Sequence, residues 1–117
     1  MKLGAFLPEI FKHLFKKPNT VCYPFEKIGV PKDFRGMPVF TSSKCIGCKL
    51  CVMDCPAEAL EIIRVSETEK KFKMILHNDR CIHCAQCVDS CNKDAIAMNA
   101  DYELAAFDRN KLKIEYL

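Results

Sequence analysis

Cys45-Ile46-Gly47-Cys48-Lys49-Leu50-Cys51-Val52-Met53-Asp54-Cys55-Pro56 returns 36 residues later as Cys81-Ile82-His83-Cys84-Ala85-Gln86-Cys87-Val88-Asp89-Ser90-Cys91-Asn92. Both stretches read C-x-x-C-x-x-C-x-x-x-C. Residues 45–63 align on 81–99 without a gap, matching Ile46 with Ile82, Val52 with Val88 and Ala59 with Ala95 besides the four cysteines. Residues 39–100 are therefore one unit written twice.

Cysteines at steps of three in a tight loop aim three thiolates and several backbone N–H groups at a common centre, which suits one corner of a cubane iron–sulfur cluster. In chains with two such runs, the fourth cysteine of each run ligates the other run's cluster. The spacing thus predicts one [4Fe–4S] cluster on Cys45, Cys48, Cys51 and Cys91, and a second on Cys81, Cys84, Cys87 and Cys55. Two such clusters point to electron transfer. Zinc sites pair two C-x-x-C elements across a longer spacer and close with four ligands, whereas each half here already holds four cysteines. A disulfide framework suits short secreted chains, but nine cysteines leave one over.

A chain of 117 residues is one small domain with extensions. Its core is small, and clusters tied to distant cysteines would staple it, so the metal-free form is expected to be largely unfolded there. The formal charge of +3 counts cysteines as neutral; at about −2 for each oxidised cluster with its thiolates, the total becomes roughly −1. Residues 1–40 hold seven Lys/Arg against three Asp/Glu, and residues 41–117 hold eleven against twelve. The basic N-terminal segment suits lipid head groups, an acidic electron donor or a partner subunit, or is simply a solvated arm. The modest basic excess gives little support for nucleic-acid binding. No stretch reaches the ~20 apolar residues of a membrane-spanning helix. Pro8, Glu9 and Lys12 interrupt what would be the core of a signal peptide, and reduced thiols fit a cytoplasmic location.

The chain divides into 1–38, a helix and arm; 39–100, the repeat; and 101–117, a tail. In Met1–Lys17, Leu3, Phe6, Leu7, Ile10, Phe11, Leu14 and Phe15 recur at helical spacing opposite Glu9, Lys12, His13, Lys16 and Lys17. An amphipathic helix is expected, with Pro8 opening it or kinking an earlier turn and Pro18 ending it. Its apolar face favours a partner or a membrane interface. Pro18–Pro38 holds four prolines and two glycines and reads as an extended docking arm. Each half of the repeat reads as strand, cluster loop, short helix and strand, with Pro56–Leu60 and Asn92–Ala97 as the helices. Glu61–Glu67 and Lys71–His77 read as strands around the turn Thr68-Glu69-Lys70, with Ile62, Val65, Phe72, Met74 and Leu76 on an apolar side. The tail, with Leu104, Phe107, Leu112, Ile114 and Leu117, either folds back or binds a neighbour. The fold class is α+β: two halves related by pseudo-twofold symmetry, in the manner of bacterial-type two-cluster ferredoxins.

With both cysteine runs, the amphipathic N-terminal segment, the arm Tyr23-Pro24-Phe25-Glu26-Lys27, Phe34-Arg35-Gly36 before the first strand, and the tail Tyr102-Glu103-Leu104-Ala105 with Asp108-Arg109, the chain resembles a known group. This is the eight-iron ferredoxin-like subunit of complex I and its relatives, the membrane-bound [NiFe] hydrogenases and ferredoxin-dependent reductases. The resemblance covers nearly the whole chain. It implies a peripheral relay on the cytoplasmic face of the membrane, passing single electrons towards a neighbouring iron–sulfur or catalytic subunit beside ion-pumping membrane subunits. The implied donor is a soluble reduced ferredoxin, and the terminal acceptor lies on another chain. The competing reading is a free, diffusible two-cluster ferredoxin, for which an apolar helix, arm and tail are surplus.

Where these motifs commonly have Cys-Pro, the second run has Cys91-Asn92; asparagine keeps its N–H and is expected to cap the following helix. Cys22, outside both runs, reads as a small buried apolar residue. His83, inside the second loop, reads either as a proton site coupled to the cluster or as a loop residue without influence. His13 and His77 read as helix-face and strand residues. Lys44 and Lys49 flank the first loop, as solvated lysines or as guides for an acidic donor.

Overall fold

A computed structural model of the chain describes residues 4–66 and 70–117. The first residues of the expected N-terminal helix, 1–3, and the centre of the expected hairpin turn, 67–69, lie outside the described residues.

Pro8 has no N–H to give, which costs nothing in a first helical turn. It sits there in α1 (Leu7–Leu14), which ends four residues before Pro18. Leu7, Ile10, Phe11 and Leu14 form one side of α1, and all four are exposed. On the other side Glu9 pairs with Lys12 at 3.9 Å and His13 at 3.6 Å.

The core is built by strand register. β1 (Pro38–Phe40) runs antiparallel to the distant β4 (Ile96–Met98), with Phe40 opposite Ile96. β2 (Leu60–Arg64) runs antiparallel to β3 (Phe72–His77), with Leu60 opposite Leu76 and Ile62 opposite Met74. The first pair maps onto the second by the same 36-residue offset: Pro38 and Met98 correspond to Met74 and Ile62. Phe40, Leu60, Ile62, Met74, Leu76 and Ile96 are buried together. Val65, expected on the apolar side of the strand, lies one residue past β2 and is exposed.

The tail folds back. β5 (Lys113–Tyr116) joins the other edge of β3, Ile114 opposite Leu76, to give the sheet β2-β3-β5. Tyr116 donates its hydroxyl to the Pro38 carbonyl at 3.0 Å, tying this sheet to β1. Asp108 caps the turn Arg109–Leu112, and the Arg109 guanidinium pairs with Asp79 at 2.6 Å.

The helices expected over Pro56–Leu60 and Asn92–Ala97 are instead turns entering β2 and β4. Glu58 and Asp94 stand at φ 47° and 48°, a left-handed conformation that a right-handed helix cannot pass through. The helical turns fall earlier, as α2 (Leu50–Met53) and α3 (Gln86–Asp89), each starting after a left-handed residue, Lys49 or Ala85. Asn92 consequently caps no helix; it is exposed in a turn.

Candidate metal centre

The left-handed residues shape the cysteine loops. Gly47, Lys49 and Glu58 have positive φ in the first loop, and His83, Ala85 and Asp94 have it at the matching places in the second. These bends turn successive cysteines inward and free backbone N–H groups for the sulfurs. Gly47 N–H donates to Cys45 Sγ at 3.4 Å, and Ala59 and Ala95 N–H donate to Cys55 and Cys91 Sγ at 3.3 Å each. Ala59 and Ala95 are fully buried, so their methyl groups close the floor where a larger side chain would intrude. α2 and α3 carry Cys51 and Cys87 into the core, the two buried members of the set.

Two cavities result. One is lined by Cys45, Cys48, Cys51 and Cys91 between Phe40 and Ile96. The other is lined by Cys55, Cys81, Cys84 and Cys87 between Pro38 and Leu60. The fourth cysteine of each run therefore sits with the other run's triplet. All nine cysteines are unpaired thiols.

The electrostatics follow the same grouping. Burial pushes the Cys51 thiol up to about 11, with Cys45, Cys91 and Cys48 adding to it. Burial likewise pushes Cys87 up to about 12, helped by Cys81, then Cys51, Cys55 and Cys84. Cys45 and Cys81 are also raised by burial, against the pull of the Gly47 and His83 N–H groups. α2 and α3, which carry Cys51 and Cys87, touch each other, so the two cavities lie side by side. Metal-free, these thiols hold their protons at neutral pH, so a cationic centre must displace them on binding.

The residues fit cubane clusters: four soft donors per cavity, N–H groups aimed at sulfur, and apolar walls. A tetrathiolate zinc site would draw its sulfurs to about 3.8 Å of one another. Among the described residues no group of His, Cys, Asp or Glu is gathered to hold a single ion.

The family model for the 4Fe-4S dicluster domain matches residues 44–95. The matched stretch holds both cysteine runs. Such a domain carries two [4Fe–4S] clusters. The similarity extends well beyond it. Subunit I of NAD(P)H-quinone oxidoreductase from Synechococcus sp. (strain JA-3-3Ab) is 41% identical over 94% of this chain and 54% of its own length. The protein of the same name from Thermosynechococcus vestitus is 39% identical over 97% of this chain and 60% of its own length. In structure the chain is similar to a chain of the membrane-bound sulfane sulfur reductase, an archaeal respiratory membrane complex. The TM-score is 0.70 at 31% identity, over 94% of this chain and 58% of that one. The chain thus spans little more than half the length of the relatives it matches.

Residues outside the eight cysteines of the two runs are placed as follows. Cys22, expected to be buried, is exposed on the arm, because the arm runs over the surface rather than into the core. His83 is half-buried and its Nδ1–H donates to the Gly36 carbonyl at 2.9 Å. Lys49 lines the first cavity and Lys44 does not; Lys93, which the sequence reading passed over, lines it as well. His77, half-buried on β3, contacts the Glu61 carboxylate at 2.9 Å. Phe72 and Arg35 also touch the loops, and for Phe72 the 36-residue offset was the signal available: it pairs Phe72 with Gly36 and Gly47 with His83.

The arm and tail segments that carried the resemblance bind each other. Tyr23 Oη donates to Glu103 at 2.9 Å and Lys27 Nζ pairs with the same carboxylate at 2.5 Å. Phe34 and Tyr102 meet edge to face at 6.3 Å between ring centres. Gly36 N–H donates to the Asn99 carbonyl at 3.1 Å and Met37 N–H to Asn99 Oδ1 at 2.8 Å.

Proposed function

We propose that this chain is an electron-transfer subunit of a membrane-bound, complex I-related oxidoreductase. One cluster is assigned to Cys45, Cys48, Cys51 and Cys91, and the other to Cys81, Cys84, Cys87 and Cys55. The observation that carries the reading is the exchange of the fourth cysteines, which makes each cavity depend on both halves of the repeat. Paired cavities, matched strand register and matched left-handed residues support a pseudo-twofold relation between the halves.

Bound, the two clusters supply two adjoining one-electron sites. The chain's residues do the rest. Phe40, Ile62 and Ile96 keep water from the first cavity and Pro38 and Leu60 from the second. Cys51 and Cys87, buried on α2 and α3, hold the two sites close together. In this reading the substrate is reduced on another subunit.

Residues 1–38 act as helix and docking arm, 39–100 as the dicluster unit and 101–117 as a tail, serving a neighbouring iron–sulfur or catalytic subunit and membrane subunits. A soluble ferredoxin is the proposed donor and the cytoplasmic face of the membrane the proposed site. Among the described residues no helix is long and apolar enough to cross a membrane; the attachment proposed is peripheral, through the apolar side of α1. The test is to tag the chain in its native host, solubilise membranes gently and identify by mass spectrometry what co-purifies. Recovery with membrane subunits and a catalytic chain is expected; recovery alone from the soluble fraction, brown and monomeric, would make it a diffusible ferredoxin instead.

A further inference from the structure

The two cysteine loops are alike in backbone but are held from outside in opposite ways. In the first, Gly47 stands at φ 74° and a Cβ there would meet the Phe72 ring at 2.2 Å. A glycine in the loop receives an aromatic ring from the strand. In the second, the partners at the 36-residue offset are exchanged in size: the loop carries His83, and Gly36 takes the place of the phenyl. Gly36 is itself walled in, since a Cβ would meet the Asn99 and Asp101 carbonyls at 2.4 and 2.5 Å. It can only offer its own carbonyl, which the His83 ring takes. Next to it, Arg35 Nη1 donates to the Cys84 carbonyl at 3.2 Å. The first loop is thus pinned by an apolar ring and the second by polar groups of the arm. Cys84 is half-buried where its counterpart Cys48 is exposed.

We infer that Arg35 is a positioning residue for the second cluster, fixing the Cys84 peptide of its loop and holding a permanent positive charge beside it. The inference rests on the assignment of Cys55, Cys81, Cys84 and Cys87 to that cluster. Reduction adds one negative charge, and a nearby cation stabilises the reduced form more than the oxidised one, which raises the potential. Guanidinium does not lose its proton in the working pH range, so this contribution is constant with pH. Arg35 is exposed, and solvent screening keeps the effect modest.

The test is a redox titration of the purified full-length holo-protein followed by electron paramagnetic resonance. Cys55→Ala is measured first, and the signal it abolishes is the second cluster's. If Cys55→Ala abolishes neither signal or both, the ligand assignment fails and the inference with it. Given one assigned signal, Arg35→Gln is expected to lower its reduced-to-oxidised ratio at fixed potential about threefold, equivalent to about 28 mV for a one-electron couple. The other signal should stay in place. Arg35→Lys should recover at least half of the shift, which a merely structural contact would not do. An unchanged midpoint in Arg35→Gln, or equal shifts of both signals, overturns the inference. Should Arg35→Gln lose the second cluster, Arg35→Lys decides: a cluster kept near the wild-type midpoint supports it, and a cluster lost or shifted by the full amount overturns it.

Discussion

At the scale of single residues, the exchanged cysteines give the sharpest expectation. Cys91 lies in the second run but lines the first cavity, and Cys55 the reverse. Cys91→Ala should therefore abolish the signal that depends on Cys45, Cys48 and Cys51, Cys55→Ala the other, and each should lower bound iron by about half. Iron analysis and electron paramagnetic resonance of the two variants check this; loss of the signal belonging to the mutated run's own triplet would contradict it. Cys22→Ser, on the exposed arm, should leave iron content unchanged. Gly47→Ala should impair the first loop twice over, by left-handed strain of about 1–2 kcal/mol and by contact with Phe72. Adding Phe72→Leu should relieve the contact but not the strain, so first-cluster occupancy should recover only in part. The cysteines were legible because their spacing is itself the loop geometry. Cys22 was not, since whether a thiol is buried depends on what packs over it and spacing says nothing of that.

At the scale of elements, the strands read well and the helices badly, for one physical reason. β2 and β3 follow from residues that alternate or run apolar beside a polar turn, a signal held in consecutive residues. The one-turn helices α2 and α3 are too short for any periodicity and are set by left-handed Lys49 and Ala85, residues with no sequence preference for that conformation. β5 was equally hidden, because an edge strand is chosen by the sheet that receives it. Its anchor is testable: Tyr116→Phe loses the bond to the Pro38 carbonyl, at about 1 kcal/mol, and should lower the melting temperature of the holo-protein by about 4 °C. The arm–tail clasp should respond to acid. The Lys27 ammonium, and then the Tyr23 hydroxyl, hold the Glu103 carboxyl below the usual carboxylate range. A carboxyl depressed in the folded state contributes stability above its ordinary value and loses it as pH falls through the depressed one. Amide hydrogen exchange over residues 22–27, corrected for intrinsic rates, should therefore quicken below about pH 4 in the native chain. In Glu103→Gln it should be fast at all pH values, and a native-like acid step in that variant would refute the clasp.

At the scale of the whole molecule, shape separates a relay subunit from a carrier. A compact chain of this length would have a radius of gyration of about 13 Å; this one has 21.8 Å and extends 78 Å along its long axis. The described residues of 1–38 contribute almost nothing to the buried core before Gly36, and α1 keeps Leu7, Ile10, Phe11 and Leu14 in solvent. An apolar helix side left open costs solubility unless something covers it, and Lys12, Lys16 and Lys17 beside it suit an anionic lipid surface as well as a protein. The two cavities need no part of α1, because both are lined by residues from 38 onward. Deletion of residues 4–17 should accordingly leave iron content and the visible absorption of the purified chain unchanged, while the truncated chain, expressed in its native host, moves from the membrane pellet to the supernatant. Sedimentation at low and high salt then distinguishes what α1 touches. Release of the intact chain by salt alone indicates a charged lipid surface, screened as the ionic strength rises; retention in high salt with release by detergent indicates an apolar seat on a membrane subunit. A truncated chain that still pellets would locate the attachment in the arm or tail, where Phe25, Ile28, Phe107 and Leu117 are the most exposed apolar groups among the described residues.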